Sequence, residues 1–135
     1  MTDSVCYFIN EDPADQRVFA DALKHMCPKT RCVMVSTGEE ALDLMIRSGI
    51  IPDYILIELN LAGMDAVEFL RNIKMNSLFK TIPVIVHSAT PRPEKVKTLK
   101  ECGAAAIYFS SYDYLRICNL LNLYLESEIL MHPQN

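Results

Sequence analysis

The 135-residue sequence lacks the features that announce several large classes of protein. No apolar run approaches the ~18 residues needed to span a bilayer, so no membrane helix is expected. The opening residues, "MTDSV", carry neither a basic stretch nor a long apolar one, and no secretory signal is read there. The five cysteines include no CxxC pair. Cys27 and Cys32, the closest two, read as separate reduced thiols of a cytoplasmic protein, not as parts of a disulfide frame or a zinc site. A formal net charge of −4 offers no basic surplus for nucleic acid or an anionic membrane surface. Absent too are a nucleophile–His–acid set, a Gly-rich phosphate loop, internal repeats and low-complexity tracts.

What is present is an alternation of short apolar runs and helical patterns. Residues Val5 to Ile9, Arg31 to Ser36, 54 to 59, Ile82 to Ala89 and 105 to 110 read as strands. Between them lie "PADQRVFADALKHM", "GEEALDLMIRSG", "DAVEFLRNIKMN" and "RPEKVKTLKECG", and a last helix runs from about Ser111 to Met131. In the first helix Val18, Phe19, Ala22, Leu23 and Met26 fall at helical spacing, while Gly49 and Gly103 stop the second and fourth. Several strands are unbroken apolar runs, which a strand requires when both its faces are covered. Such an alternation predicts a doubly wound α/β fold around a five-stranded parallel sheet in one domain. Ligands then bind at the carboxyl ends of the strands. Those ends read Asn10, Glu11 and Asp12; Glu58 and Asn60; Ser88 and Ala89; Ser110 and Ser111. Acids and a hydroxyl at one rim are hard-cation chemistry.

The stretches "FINEDPADQRVFADAL", "STGEEALDLM", "PDYILIELNLAGMDAVEFLRNIK", "TIPVIVHSAT" and "ECGAAAIYFSS" together resemble the response-regulator receiver domain, the phosphoacceptor module of two-component signalling. The resemblance runs roughly from Val5 to Leu125, and is nearest in kind to the small single-domain receivers, including the phytochrome-associated type. It implies a flavodoxin-like (βα)5 fold with strand order 2-1-3-4-5, beyond which the last helix extends to about residue 131. It also implies a signalling partner, either a histidine kinase or a downstream effector.

Carried over residue by residue, the family's acidic pair falls on Asn10 and Glu11, and its phosphoacceptor aspartate on Glu58. Its switch hydroxyl falls on Ser88, its lysine on Ser110, the proline after that on Ser111, and its switch aromatic on Ile107. Ser88 is a match. Asn10 removes a charge from the metal site, although its carbonyl oxygen can still coordinate. Ser110 cannot supply a charge-assisted contact to a phosphoryl group. Glu58 moves the carboxylate outward by one methylene, and a ~1 Å misplacement can cost ~100-fold in transfer. These departures imply an atypical, non-enzymatic receiver that works by protein–protein contact independently of phosphorylation. The alternatives are a working phosphoacceptor loaded by a histidine kinase, and a structural scaffold domain. No resident cofactor is expected. Magnesium is left with weak candidate ligands in Glu11, Glu58 and the backbone carbonyl of Asn60.

Other residues have plainer readings. His87 reads as hydrogen-bonded inside the sheet, Asp12 and Asp65 as acids opening helices, and Arg92, Lys95, Lys97 and Lys100 as a solvated face. On the last helix Leu115, Ile117, Cys118, Leu120, Leu121, Tyr124, Leu125, Ile129 and Met131 fill roughly 180° at ~100° per residue. One sheet-covering stripe needs only about 100°. The surplus predicts self-association or partner docking, with Leu121, Tyr124 and Leu125 as anchors.

Overall fold

The computed structural model describes residues 4–131, with side chains as far as Tyr124. Strands β1 (Val5–Ile9), β2 (Arg31–Val35), β3 (Tyr54–Glu58), β4 (Val84–Ser88) and β5 (Ala106–Phe109) alternate with helices α1 (Pro13–Met26), α2 (Gly38–Ser48), α3 (Ala66–Met75), α4 (Pro93–Glu101) and α5 (Tyr114–Met131). The strands are all parallel and lie in the order β2-β1-β3-β4-β5. The expected doubly wound sheet and strand order are therefore present.

Local chemistry sets the helix ends. Asp12 accepts hydrogen bonds from the backbone N–H groups of Ala14 and Asp15, and Pro13 occupies the first turn, where a missing N–H is not needed. Thr37 and Asp65 cap α2 and α3 through the N–H groups of Glu40 and Glu68. Gly49 closes α2 at φ 68°, a left-handed conformation that glycine adopts without steric cost. The last helix starts at Tyr114, three residues later than the expected Ser111, because the Asp113 carboxylate accepts from the Arg116 N–H in the manner of a cap.

Each sheet face buries its own core. On one, Tyr7, Ile9, Ile55, Ile57, Val84 and Val86 pack with Met45, Phe69, Leu70, Ile73 and Leu99 of α2, α3 and α4. On the other, Cys6, Phe8, Leu56 and Ile85 meet Phe19 and Leu23 of α1 and Ile117, Leu120, Leu121 and Tyr124 of α5. All five cysteines are free, and burial pushes the Cys32 thiol up to about 12. Among the described residues no helix is long and apolar enough to cross a membrane.

The second core corrects the reading of α5. Leu121 and Tyr124 are not surface anchors: they are 1% and 7% exposed, and the Tyr124 ring lies 5.4 Å from that of Tyr54. Helix α5 packs on α1 as well as on the sheet, so Ile117, Leu120, Leu121 and Tyr124 of its apolar arc are spent inside the chain. The side chain of Leu125 lies outside the described residues. On the outer side Leu115 is 72% exposed.

Candidate functional site

Strands β1, β3 and β4 are neighbours, and each delivers a polar residue to the same rim: Asn10 just beyond β1, Glu58 ending β3 and Ser88 ending β4. Asp12, Asp15, Glu58, Asn60, Ser88, Thr90 and Tyr112 line one open hollow there.

Both oxygens of Glu58 are engaged. The Tyr112 hydroxyl donates to Oε2 at 2.8 Å, and the Asn60 backbone N–H donates to Oε1 at 3.3 Å. Burial raises the carboxyl's pKa, and these two bonds oppose the rise by favouring the charged form. The half-buried Tyr112 ring stands edge-on to His87, centroids 4.2 Å apart, and to Phe8 at 6.4 Å. Burial, followed by the neighbouring Glu58 charge, holds the Tyr112 hydroxyl protonated far above its ordinary pKa.

Ser88 and Asn60 form the next link. Asn60 Nδ2 donates to Ser88 Oγ at 3.1 Å, and Ser88 Oγ donates to the Thr90 carbonyl at 3.0 Å. Arg92 Nη1 donates to Asn60 Oδ1 at 3.1 Å and its Nε pairs with Glu94 at 2.7 Å. Arg92 is thus a structural partner of the site, where the sequence suggested only a solvated face.

The remaining family positions are placed differently from one another. Asn10 is buried, and its side chain is spent locally: Oδ1 accepts from the Asp12 N–H at 2.8 Å and Nδ2 donates to Asp15 at 3.2 Å. Burial raises the pKa of Asp15, with the Asn10 bond acting against it. Glu11 is exposed and borders a separate hollow with Leu59, Asn60, Asp65, Arg92 and Lys95, so the acidic pair is split. Ser110 Oγ lies 2.9 Å from His87 Nε2. His87 is fully buried, and burial holds its pKa down to about 4, so it is neutral at pH 7. That agrees with a histidine bonded inside the sheet. Ile107, half-buried on β5, pairs with Val86 and packs at the edge of the α2–α4 core.

The oxygens that the family would offer to magnesium are partly engaged in this structure. Asn10 Oδ1 and both Glu58 oxygens already accept hydrogen bonds, and Glu11 faces elsewhere. Among the described residues no three His, Cys, Asp or Glu side chains are grouped to hold a metal ion. Two residues at the site were not legible as such: Asp15, in the first turn of α1, and Tyr112, two residues past Ser110. Reading only the residues that end each strand passes over both.

Comparison with known proteins agrees with this architecture. The response regulator receiver domain model matches residues 8–119, and the chain belongs to that family. Receiver domains are signalling modules of two-component systems. The chain is 28% identical over 90 residues to sporulation initiation phosphotransferase F of Bacillus subtilis, covering 67% of this chain and 69% of that protein. It is 29% identical over 98 residues to the two-component response regulator ORR6 of Oryza sativa subsp. japonica, covering 71% of this chain and 56% of that protein, little more than half its length. Among solved structures, the phosphorylated cyanobacterial phytochrome response regulator RcpA superposes with a TM-score of 0.83 at 22% identity, covering 93% of this chain and 96% of that one. The chemotaxis response regulator CheY4 of Vibrio cholerae gives 0.76 at 19% identity, covering 90% and 98%. These two establish the shared fold.

Proposed function

We propose that this receiver domain acts in two-component-type signalling by protein–protein contact, without being phosphorylated. The observation that carries the reading is the double engagement of Glu58, one oxygen held by Tyr112 and the other by the Asn60 N–H. An acceptor in in-line transfer needs a free oxygen at attack distance and a cation to neutralise the incoming group. Among the described residues no lysine or arginine is paired with Glu58, and the position of the family's lysine is a serine turned to His87. Magnesium binding on this reading is weak, since this ion demands near-octahedral oxygen donors and gives up water reluctantly. The domain is not an enzyme and works in the cytoplasm on a kinase or effector partner. Contact with that partner or a second copy falls on the outer side of α5, at Tyr114 and Leu115, which are exposed.

A second reading, a phosphoacceptor loaded by a histidine kinase, is favoured by one observation: Ser88 keeps its hydroxyl in the same hollow as Glu58. Incubation with magnesium and acetyl phosphate, followed by intact-mass measurement, decides between them. No adduct is expected. A phosphoryl-sized mass increase that vanishes in Glu58→Ala would establish the second reading.

A further inference from the structure

We infer that Tyr112 couples the Glu58 carboxylate to the β5–α5 connection, so that the group at position 58 fixes the start of α5 through a hydrogen bond and not through a phosphoryl group. The inference rests on the phosphorylation-independent reading in one respect, that a bare carboxylate is the species at this position.

The geometry is a short lever. The Tyr112 ring is held between Phe8 and His87, and its hydroxyl reaches Glu58 across 54 residues of sequence. Two residues earlier, the Ser110 N–H donates to the Ser88 carbonyl at 3.1 Å, and its Oγ meets His87. One residue later, Asp113 caps α5: its carboxylate accepts from the Arg116 N–H and its carbonyl from the Ile117 N–H, both at 3.0 Å. Tyr112 thus sits between an anchor on β4 and the first turn of α5. A hydrogen bond to an ionised acceptor is about twice as strong as one between neutral groups. Loss of the Glu58 bond frees the only side-chain tie from this segment to β3 among the described residues. The groove between β5 and α5, lined by Tyr108, Phe109, Ser110, Arg116 and Leu120, begins at that point.

Amide hydrogen exchange on the whole chain, without any phosphodonor, tests the coupling. Tyr112→Phe keeps the ring and removes only the hydroxyl; Glu58→Ala removes the acceptor; the double variant closes the cycle. Each single change is expected to speed exchange at Ser110, Arg116 and Ile117 at least about threefold, as loss of one hydrogen bond allows. The amides of Arg31 and Asp53, at the opposite end of the sheet, stay within about 1.5-fold. The double variant is expected to match the singles. An unchanged Tyr112→Phe, an acceleration shared equally by all five amides, or a double variant equal to the product of the singles overturns the inference. An adduct formed from acetyl phosphate on the unmodified chain would defeat the phosphorylation-independent reading and leave this exchange result standing.

Discussion

Ser110 and His87 face each other across the β4–β5 pair, Oγ to Nε2 at 2.9 Å, and this contact engages the Ser110 hydroxyl. The family's lysine position has become part of the sheet's internal hydrogen bonding. A phosphoryl group arriving at Glu58 would find no positive charge from β5.

Restoring the family's three charged positions is therefore expected to restore acceptance. In Asn10→Asp, Glu58→Asp, Ser110→Lys combined, magnesium and acetyl phosphate should produce a phosphoryl-sized mass increase, while each single substitution produces none. The Glu58→Asp change also withdraws the carboxylate from Tyr112 by one methylene. An unmodified mass for the triple variant would show that some other feature closes the site.

His87 makes stability depend on pH. Its pKa is held at about 4 by burial, against 6.5 for the free side chain. Between these values the unfolded chain binds more protons than the folded one, so stability rises with pH through the window and falls on acidification. The full interval corresponds to about 3 kcal/mol at 1.36 kcal/mol per pH unit. Glu58 and Asp15, whose pKa values are raised, act in the opposite direction, Glu58 above about 4.5 and Asp15 above about 3.8. The measurement is therefore a comparison: urea denaturation of the unmodified chain and of His87→Gln from pH 7.5 to 4. The unmodified chain is expected to lose about 2–3 kcal/mol more than the variant. Parallel curves would rule out His87 as the source.

The two sides of α5 should respond oppositely to truncation. Leu121→Ala opens a cavity in the core shared with α1 and is expected to cost about 2–5 kcal/mol in thermal or urea denaturation. Leu115→Ser, at an exposed site, should stay within about 0.5 kcal/mol. Equal losses at both positions would mean that the buried face has been assigned to the wrong residues.

Much of this molecule was readable from residue order alone. The apolar runs ending at Ile9, Glu58 and Ser88 gave strands within a residue or two of those observed, because a strand covered on both faces has few options but continuous apolar residues. Asp12 and Asp65 were legible as helix openers since capping is a local bond. Tyr112 was not legible. Its role depends on a partner 54 residues away, and nothing local distinguishes its hydroxyl from that of an ordinary half-buried tyrosine. Asp15 likewise reads as a first-turn acid until Asn10 is seen beside it. For Leu121 and Tyr124, a helical wheel gives the width of an apolar arc but not the number of elements packed against it, and α1 was the element left out.

The pairing of α5 with α1 has a consequence for how the chain is made. Phe8, Phe19 and Leu23 are synthesised early, yet the side chains that shield them, Ile117, Leu120, Leu121 and Tyr124, leave the ribosome only after every strand of the sheet. Until then that face of the sheet is covered by α1 alone. Contacts between distant parts of a sequence are slow to form, and uncovered apolar strands invite association between neighbouring nascent chains. Codons far apart in the message therefore supply the two halves of one core, and a chain stopped short of residue 117 lacks the residues that close it.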